Sequence, residues 1–514
     1  MELAAPALPG PLPRARADGR RALAGAAAGA DAGGLFSPRD APLKVKLERV
    51  RALNTKKVAP PPAGKPVILW MDRDHRVQDN WALLYAQQEA LAAGAPLAVC
   101  FALRNDWSAV GRRQVGFMLR GLEEVEAELK ALSIPMFLLP GEQCAAVAGL
   151  AAEHGAGMVV CDFSPLREER AAREAAGAAL GDTPLYEVDA ANVVPVWLAS
   201  DKQEVGARTL RPKITKLLPK FLEKFPAVAP HPHAWAGAVK PIEWEAVRAG
   251  VKCDEEVAEV EWAPAGHAAG MKHLEGFIKE RFGKYGGQRN DPGEEGAISD
   301  ISPWIRFGQI SAARCALEAK RQASRHNESY ASFIEELVVR RELSDNFCFY
   351  QPRYDSLQGC AQWAQDSLAL HAGDDRKKEY GYLYDAAALE AAKTHDKLWN
   401  AAQKELVHRG KMHGFMRMYW AKKILEWTKS PEEALRVAIF NNDKYALDGR
   451  CPNGFVGCMW SIGGVHDMGW KERPVFGKIR YMNYAGCQRK FKIDRYVMRV
   501  DAIVKAAKLF VLKK

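Results

Sequence analysis

The chain has 514 residues, 48% of them hydrophobic, and a formal net charge of +10. That length exceeds what one hydrophobic core serves, so two domains are expected, and the absence of any run of about 18 apolar residues argues against a membrane span. The charge is uneven: residues 1–60 carry 11 Lys/Arg against 5 Asp/Glu and residues 471–514 carry 13 against 3, so the stretch between is net −6 and a uniformly basic body is excluded. Any nucleic-acid footprint is local, with the C-terminal segment as its leading candidate.

Residues 1–35 are rich in Ala, Gly, Pro and Arg and poor in acids. Such a segment buries no core; it reads as an organelle transit peptide or a plain disordered extension, and 1–62 are set apart on that basis. From residue 66 short apolar runs begin: Val67 to Met71, Pro96 to Phe101, Ile134 to Leu139 and Met158 to Cys161. They alternate with helical stretches at Asn80 to Leu91 and Gln114 to Leu132, the latter with Leu119, Leu122, Val125 and Leu129 at steps of three and four. Continuous apolar strands alternating with helices predict a parallel, Rossmann-like α/β sheet over 63–195. Residues 196–262, with PHPHAW, WAPAG and one basic helix near Lys213 to Lys224, read as an interdomain linker. From 263 to 514 the pattern is helical, with a stripe of Met271, Leu274, Phe277, Ile278 and Phe282. Ser302-Pro303 predicts an N-cap followed by proline at the first helical position, and Ser430-Pro431-Glu432-Glu433 a capping box.

The 10 cysteines form no CxxC and read as reduced, mostly buried thiols. There is no HExxH and no complete phosphate loop; GVHDMGWK at 464–471 has its glycines and lysine misplaced. Trp420 and Trp427 are seven residues apart, so they share a helix face about 10 Å apart. That spacing suits packing and also electron hopping between indoles. Composition and periodicity name no reaction.

The motifs VILWMDRDHRVQDNWAL, ELVVRRELSDNF, GKMHGFMRMYWAKKILEW, DGRCPNGFVGCMWSIGG and KERPVFGKIRYMNYAGC, with RNDP, resemble those of class II photolyases, the repair enzymes for cyclobutane pyrimidine dimers. The similarity runs from about 66 to about 500. It implies an α/β antenna domain followed by an all-α domain that holds FAD. Arg417 and Asp448 match the ion pair beside the flavin ring, where a guanidinium favours a reduced, anionic ring. Asn442 matches the asparagine near flavin N5. Tyr285 matches a tyrosine at the FAD phosphates and Arg289 an arginine reaching toward DNA. Ser299 and Ser302 match the pyrophosphate loop. Ile298 stands where the wider pattern has Thr, which leaves backbone N–H groups to serve there, and Trp304 and Arg306 stand near positions where Tyr and His are expected.

Glu336 matches the glutamate that touches a dimer carbonyl, with Glu342, six residues on, as its competitor. Trp460, read as lying in a glycine-rich, loop-like stretch, matches the aromatic wall against the flipped dimer, and Met418 lines the same space. Trp420, Trp399 and Trp427 match a relay that photoreduces resting FAD, as its proximal, distal and side members. Lys478, Arg480, Arg489 and Lys490, interleaved with Tyr481 and Tyr484, suit backbone phosphates.

The resemblance thus implies a monomeric, light-driven lyase acting on dimer-containing DNA, with no metal required and no membrane. An antenna pigment, folate or deazaflavin, is left open. The N-terminal segment points to chloroplast or nucleus and leaves the mitochondrion open. Two alternatives stand beside this reading: a cryptochrome-like photoreceptor, expected to carry a long C-terminal extension where this chain ends at Lys514, and a non-catalytic DNA-binding flavoprotein relative.

Overall fold

The computed structural model describes residues 44–511 except Asn105, with backbone alone for 508–511. The transit or disordered segment predicted for the first residues lies outside them up to residue 43. The remainder of that prediction, 44–62, is corrected. Val50–Ala52 forms strand β1, and Arg49 is wholly buried, donating to the carbonyls of Asp189, Asn192, Val193 and Phe221. Three residues are too few to show a period, so the pairing that orders them leaves no mark in sequence.

β1 pairs antiparallel with β7 (Leu185–Val188) at one edge of a six-stranded sheet. The other members are β2 (Val67–Trp70), β3 (Leu97–Leu103), β5 (Met136–Pro140) and β6 (Met158–Asp162), all parallel, in the order β1-β7-β6-β2-β3-β5. Val67 faces Leu97 on one side and Met158 on the other. Alternate residues of β2 enter different cores: Val67 and Leu69 one, Ile68 and Trp70 the other. Both faces are thus covered, as continuous apolar strands require. The flanking helices follow local signals. Asn80 caps Trp81–Ala92 by accepting from Ala82 and Leu83 N–H, and the stripe Leu119, Leu122, Val125, Leu129 of Arg112–Ala131 is buried.

The stretch read as a linker is built into this body. Helix Ala207–Phe221 buries Leu210, Ile214 and Phe221, and β8 (Lys252–Asp254) pairs with β4 (Asp106–Gly111). The apolar core of the sheet's inner face continues without a break into Leu274, Phe277, Phe333 and Leu343 of the helical half.

A second core, around Trp399, Met416, Tyr419, Ile424 and Met459, organises the later helices. Chief among them are Lys397–Arg409, Gly414–Trp427, Pro431–Tyr445 and Pro452–Gly463. Ser430 accepts from Glu433 N–H, whose carboxylate in turn takes Lys429 N–H, one residue before the cap. No described helix is long and apolar enough to cross a membrane.

Candidate active site

A cavity of about 820 Å³ opens between the sheet and the helical half, within the size range of cofactor sites. Tyr285, Ser299, Glu336, Arg417, Asp448 and Trp460 are among its walls. Its chemical centre is Asp448. The carboxylate takes Arg417 Nη2 at 2.5 Å, Ser302 Oγ at 2.5 Å and Lys411 Nζ at 3.2 Å. Burial opposes the charged form, but the Arg417 and Lys411 charges and the Ser302 and Arg417 hydrogen bonds overcome it and hold Asp448 far below the usual carboxylate range. Burial likewise opposes the Arg417 charge, and Asp448 outweighs it, so the guanidinium stays ionised. Two cations share one carboxylate, which leaves this wall net positive.

The sequence placed Arg417, Asp448 and Asn442 together, and the structure joins them. Arg417 Nη1 donates to Asn442 Oδ1 at 3.1 Å. Asn442 itself is buried behind Arg417 and is not on the cavity wall. Gly454 packs closely beside it: a Cβ there would lie 2.7 Å from Asn442 Nδ2 and would push that amide aside. Lys411 was missed, although GKMHGF contains it: a lone lysine before an apolar helix carries no periodic signal. Arg306 is a second omission. Its guanidinium lines the cavity, donates to Gly449 O at 2.9 Å and, among the described residues, meets no carboxylate at ion-pair distance. Burial lowers its pKa.

Ser302 requires a correction. The helix Ser302–Arg306 is capped by Ile301, with Ser302 as its first residue and Pro303 next. The Ser302 hydroxyl donates to Asp448 and accepts from Lys411 Nζ at 2.5 Å, so it is part of the charge cluster. Ser299 does line the cavity, its carbonyl held by His273 Nε2 at 2.9 Å. Next to it Asp300 adopts a left-handed φ of 57°, and its Oδ1 is buried with no partner. Tyr285 is buried edge-on against Phe277 and Phe333, with the Arg289 guanidinium 5.8 Å from its ring centre.

Arg289 also grips Glu336, Nη2 to Oε1 at 2.8 Å, and donates from Nε to Ser332 Oγ at 2.7 Å. Glu336 sits where the chain widens into a π-type turn, Glu335–Arg340, between two α-helices. The competitor faces elsewhere. Glu342 is buried, accepts from Val193 N–H at 2.6 Å and is pushed up to about 8 by burial, away from the cavity.

Trp460 and Met418 line the cavity. Trp460 is helical, not loop-bound, which corrects the sequence reading. Cys451 Sγ accepts from Gly454 N–H to cap Pro452–Gly463, and Gly464, at φ 67°, ends it. Trp420 lies three residues beyond Arg417 on one helix and therefore on its side of the helix, one turn behind the charge cluster. Trp399 Nε1 donates to Trp420 O at 2.9 Å, and the Trp399 and Trp427 ring centres are 5.7 Å apart. All three indoles are buried.

Known proteins match this chain as follows. Residues 67–231 match the DNA photolyase family model. The deoxyribodipyrimidine photo-lyase of Potorous tridactylus is 52% identical, over 84% of this chain and 81% of that protein. Its Arabidopsis thaliana namesake is 50% identical, over 86% and 90%.

The chain belongs to the DNA photolyase family.

Its fold is that of photolyases and cryptochromes. A class III photolyase from Agrobacterium tumefaciens superposes with a TM-score of 0.64 at 20% identity, covering 86% of this chain and 88% of the other. A Synechocystis cryptochrome does so with 0.65 at 16%, covering 86% and 89%. In this photolyase-family chain the cavity runs on to the carboxyl ends of β2 and β6, where the strand order reverses, past Asp72, Arg73, Arg104, Gln143 and Ser164. None of the four basic residues singled out near the C-terminus lines the cavity itself, but two stand against aromatic residues of its wall. Arg480 lies 4.2 Å from the Trp470 ring centre and 5.6 Å from that of Trp460, with Asp467 on its Nε at 3.0 Å. Lys490 Nζ is 5.2 Å from the ring centre of Phe415, which lines the mouth. Lys478 and Arg489 are exposed and not on the wall.

Proposed function

We propose that this protein is a light-driven DNA repair enzyme that splits cyclobutane pyrimidine dimers. One observation carries the reading. A single cavity presents the Arg417–Asp448–Lys411 cluster and the Trp460 wall together, in a chain half identical to proteins named deoxyribodipyrimidine photo-lyase.

The residues fit FAD. The wall is net positive, Arg306 offers a cation with no carboxylate partner among the described residues, and Asp300 turns an unpartnered buried oxygen into a polar corner. FAD, when bound and reduced, supplies light absorption and the loan of one electron to the dimer. The chain's residues do the rest. Arg417 and Lys411 set a positive field that favours an anionic ring, and Asp448 and Asn442 fix Arg417 in place. Trp460 and Met418 form a flat apolar surface for the flipped dimer, which stacks poorly in DNA and is cheap to extrude. Arg289 and Glu336 stand together at the cavity wall. A dimer carbonyl placed there can accept an Arg289 N–H while Glu336 keeps the guanidinium oriented. Trp420, Trp399 and Trp427 form the inward path for electrons that restore the reduced cofactor. Lys490, Arg480, Lys478 and Arg489 meet backbone phosphates without regard to sequence.

The arm of the cavity at the carboxyl ends of the strands has room for a second pigment, folate or deazaflavin, whose presence the reading leaves open. The chain works as a monomer, and residues 1–35 direct it to an organelle; expression of that segment fused to a fluorescent protein tests the address. The photoreceptor alternative is not retained, since relatives at about half identity are named as lyases. The deciding experiment illuminates the flavin-loaded protein with dimer-containing DNA and follows dimer loss beside a dark control. Dimers that persist under light refute the reading.

A further inference from the structure

Trp420, Trp399, Trp427 and Trp460 stand in or behind the cavity, and their electrostatic surroundings fall into two kinds. The indole N–H of Trp420 donates to Gln403 Oε1 at 2.8 Å, that of Trp399 to Trp420 O at 2.9 Å and that of Trp427 to Glu426 Oε1 at 3.0 Å. Each acceptor turns negative charge toward its indole, which eases removal of an electron. Lys423 also lies over Trp427, but both Glu426 oxygens take its ammonium, at 2.7 and 2.8 Å, so that cation is neutralised.

Trp460 is the reverse. Lys422 Nζ lies 4.8 Å from its ring centre; the Arg480 guanidinium lies 5.6 Å away but is balanced by Asp467 at 3.0 Å, as Lys423 is by Glu426. Lys422 is wholly buried, and its one hydrogen bond goes to the carbonyl of Ser461, the residue after Trp460, at 2.9 Å. Among the described residues, Lys411 and Lys423, the other buried lysines, both have carboxylate partners, and Lys422 has none within ion-pair distance. A buried ammonium without a counter-ion is costly, and here the aromatic face and one carbonyl are what stabilise it. The charged groups that face it are Asp467 and Arg480, both on the segment that follows the Trp460 helix. Burial pushes Lys422 down to about 7.

We propose that Lys422, with Arg480 beside it, is a positioning residue for Trp460: it holds that indole against the cavity and keeps it from giving up an electron. This deepens the repair reading and rests on the tryptophan relay. In the relay one electron would pass inward from Trp399 through Trp420 toward excited FAD when that is bound, with Trp427 beside Trp399 sharing the positive charge. The Trp427 N–H proton would move to Glu426, and a thiol in solution would return one electron and one proton. An oxidised Trp460 would instead lie against the dimer and reclaim the electron lent to it. The Lys422 ammonium over Trp460 closes that route, so oxidation runs only away from the DNA.

The test uses the full flavin-loaded chain. Trp420→Phe stops light-driven flavin reduction. Adding Lys422→Met raises the rate at least about tenfold over Trp420→Phe alone, because Trp460 now donates. Further adding Trp460→Phe removes the gain, and Lys422→Arg in place of Met gives none. A Trp420→Phe/Lys422→Met protein as slow as Trp420→Phe overturns the proposal. A second readout needs no photochemistry. The emission due to Trp460, taken as the difference from Trp460→Phe in flavin-free protein, shifts between about pH 5.5 and 8.5 as Lys422 titrates and stays flat in Lys422→Gln. A flat response in the unaltered chain overturns the contact. If Trp420→Phe alone photoreduces normally, the relay fails, and the emission titration by itself decides whether Lys422 governs Trp460.

Discussion

Two buried charge clusters, one in each half of the molecule, make an instructive pair. At the carboxyl edge of the sheet, Arg173 is closed in by Asp72 at 3.1 Å, Asp162 at 3.2 Å and Glu187 at 3.5 Å. Asp162 also accepts from the N–H groups of Asp72, Arg73 and Asp74, so the cluster pins the turn after β2. Three carboxylates surround one cation. In the helical half the ratio is inverted: Arg417 and Lys411 share Asp448, and the group opens into the cavity. A cluster that saturates its cation internally organises a fold. One that keeps positive charge facing an empty space is arranged for a ligand.

The widest separation between the two comes from deleting the central arginines. Arg173→Met strands buried carboxylates and costs about 3–5 kcal/mol of stability by urea unfolding, with flavin retained by the molecules that stay folded. A loss under about 1 kcal/mol would erase the contrast. Arg417→Met leaves Lys411 to balance Asp448, so stability falls less, while FAD affinity drops by about 2 kcal/mol in a flavin-retention titration. Next comes the wall beside the open cluster. Trp460→Ala weakens binding of dimer DNA by about 1–3 kcal/mol and of undamaged DNA by less, measured by competition; equal losses remove it from recognition.

Acidity sharpens the comparison further, with a smaller effect. Burial and the Asp74 charge raise Asp162 to about 6 against the pull of Arg173, so its contribution to stability is present at low pH and is lost as pH rises through about 6. Asp448 is depressed, so its contribution is present above the unfolded carboxylate range and is lost only in strong acid. Stability of Asp162→Asn and Asp448→Asn relative to the unaltered chain, followed from pH 7 downward, should therefore diverge in opposite directions. The least effect belongs to the rim. Lys490→Gln lowers the salt slope of DNA binding by about 1 without changing the preference for dimers.

Much of this was legible in residues. The strand Val67 to Trp70 and the stripe from Leu119 to Leu129 are where periodicity puts them, because apolar spacing and burial are the same physical fact. The pairing of Arg417 with Asp448 was legible through a motif, not through spacing, since 31 positions separate them. Other features were misread for identifiable reasons. Glycines around Trp460 suggested a loop, yet the Cys451 cap and Pro452 start a helix that packs closely at Gly454. Ser302 carried a cap signature, but the proximity of Asp448 claimed its hydroxyl.

The sequence by itself determined the longer strands and helices, and which contiguous motifs the chain shares with its family, because both are written in neighbouring residues. Only the tertiary structure decided that Glu336 faces the cavity while Glu342 caps backbone N–H groups of Val193 and Val194. It alone placed Lys411 on Asp448 and Lys422 beneath Trp460. Electrostatic partnership depends on distance through space and on the water that packing excludes. Neither quantity exists until distant parts of the chain meet.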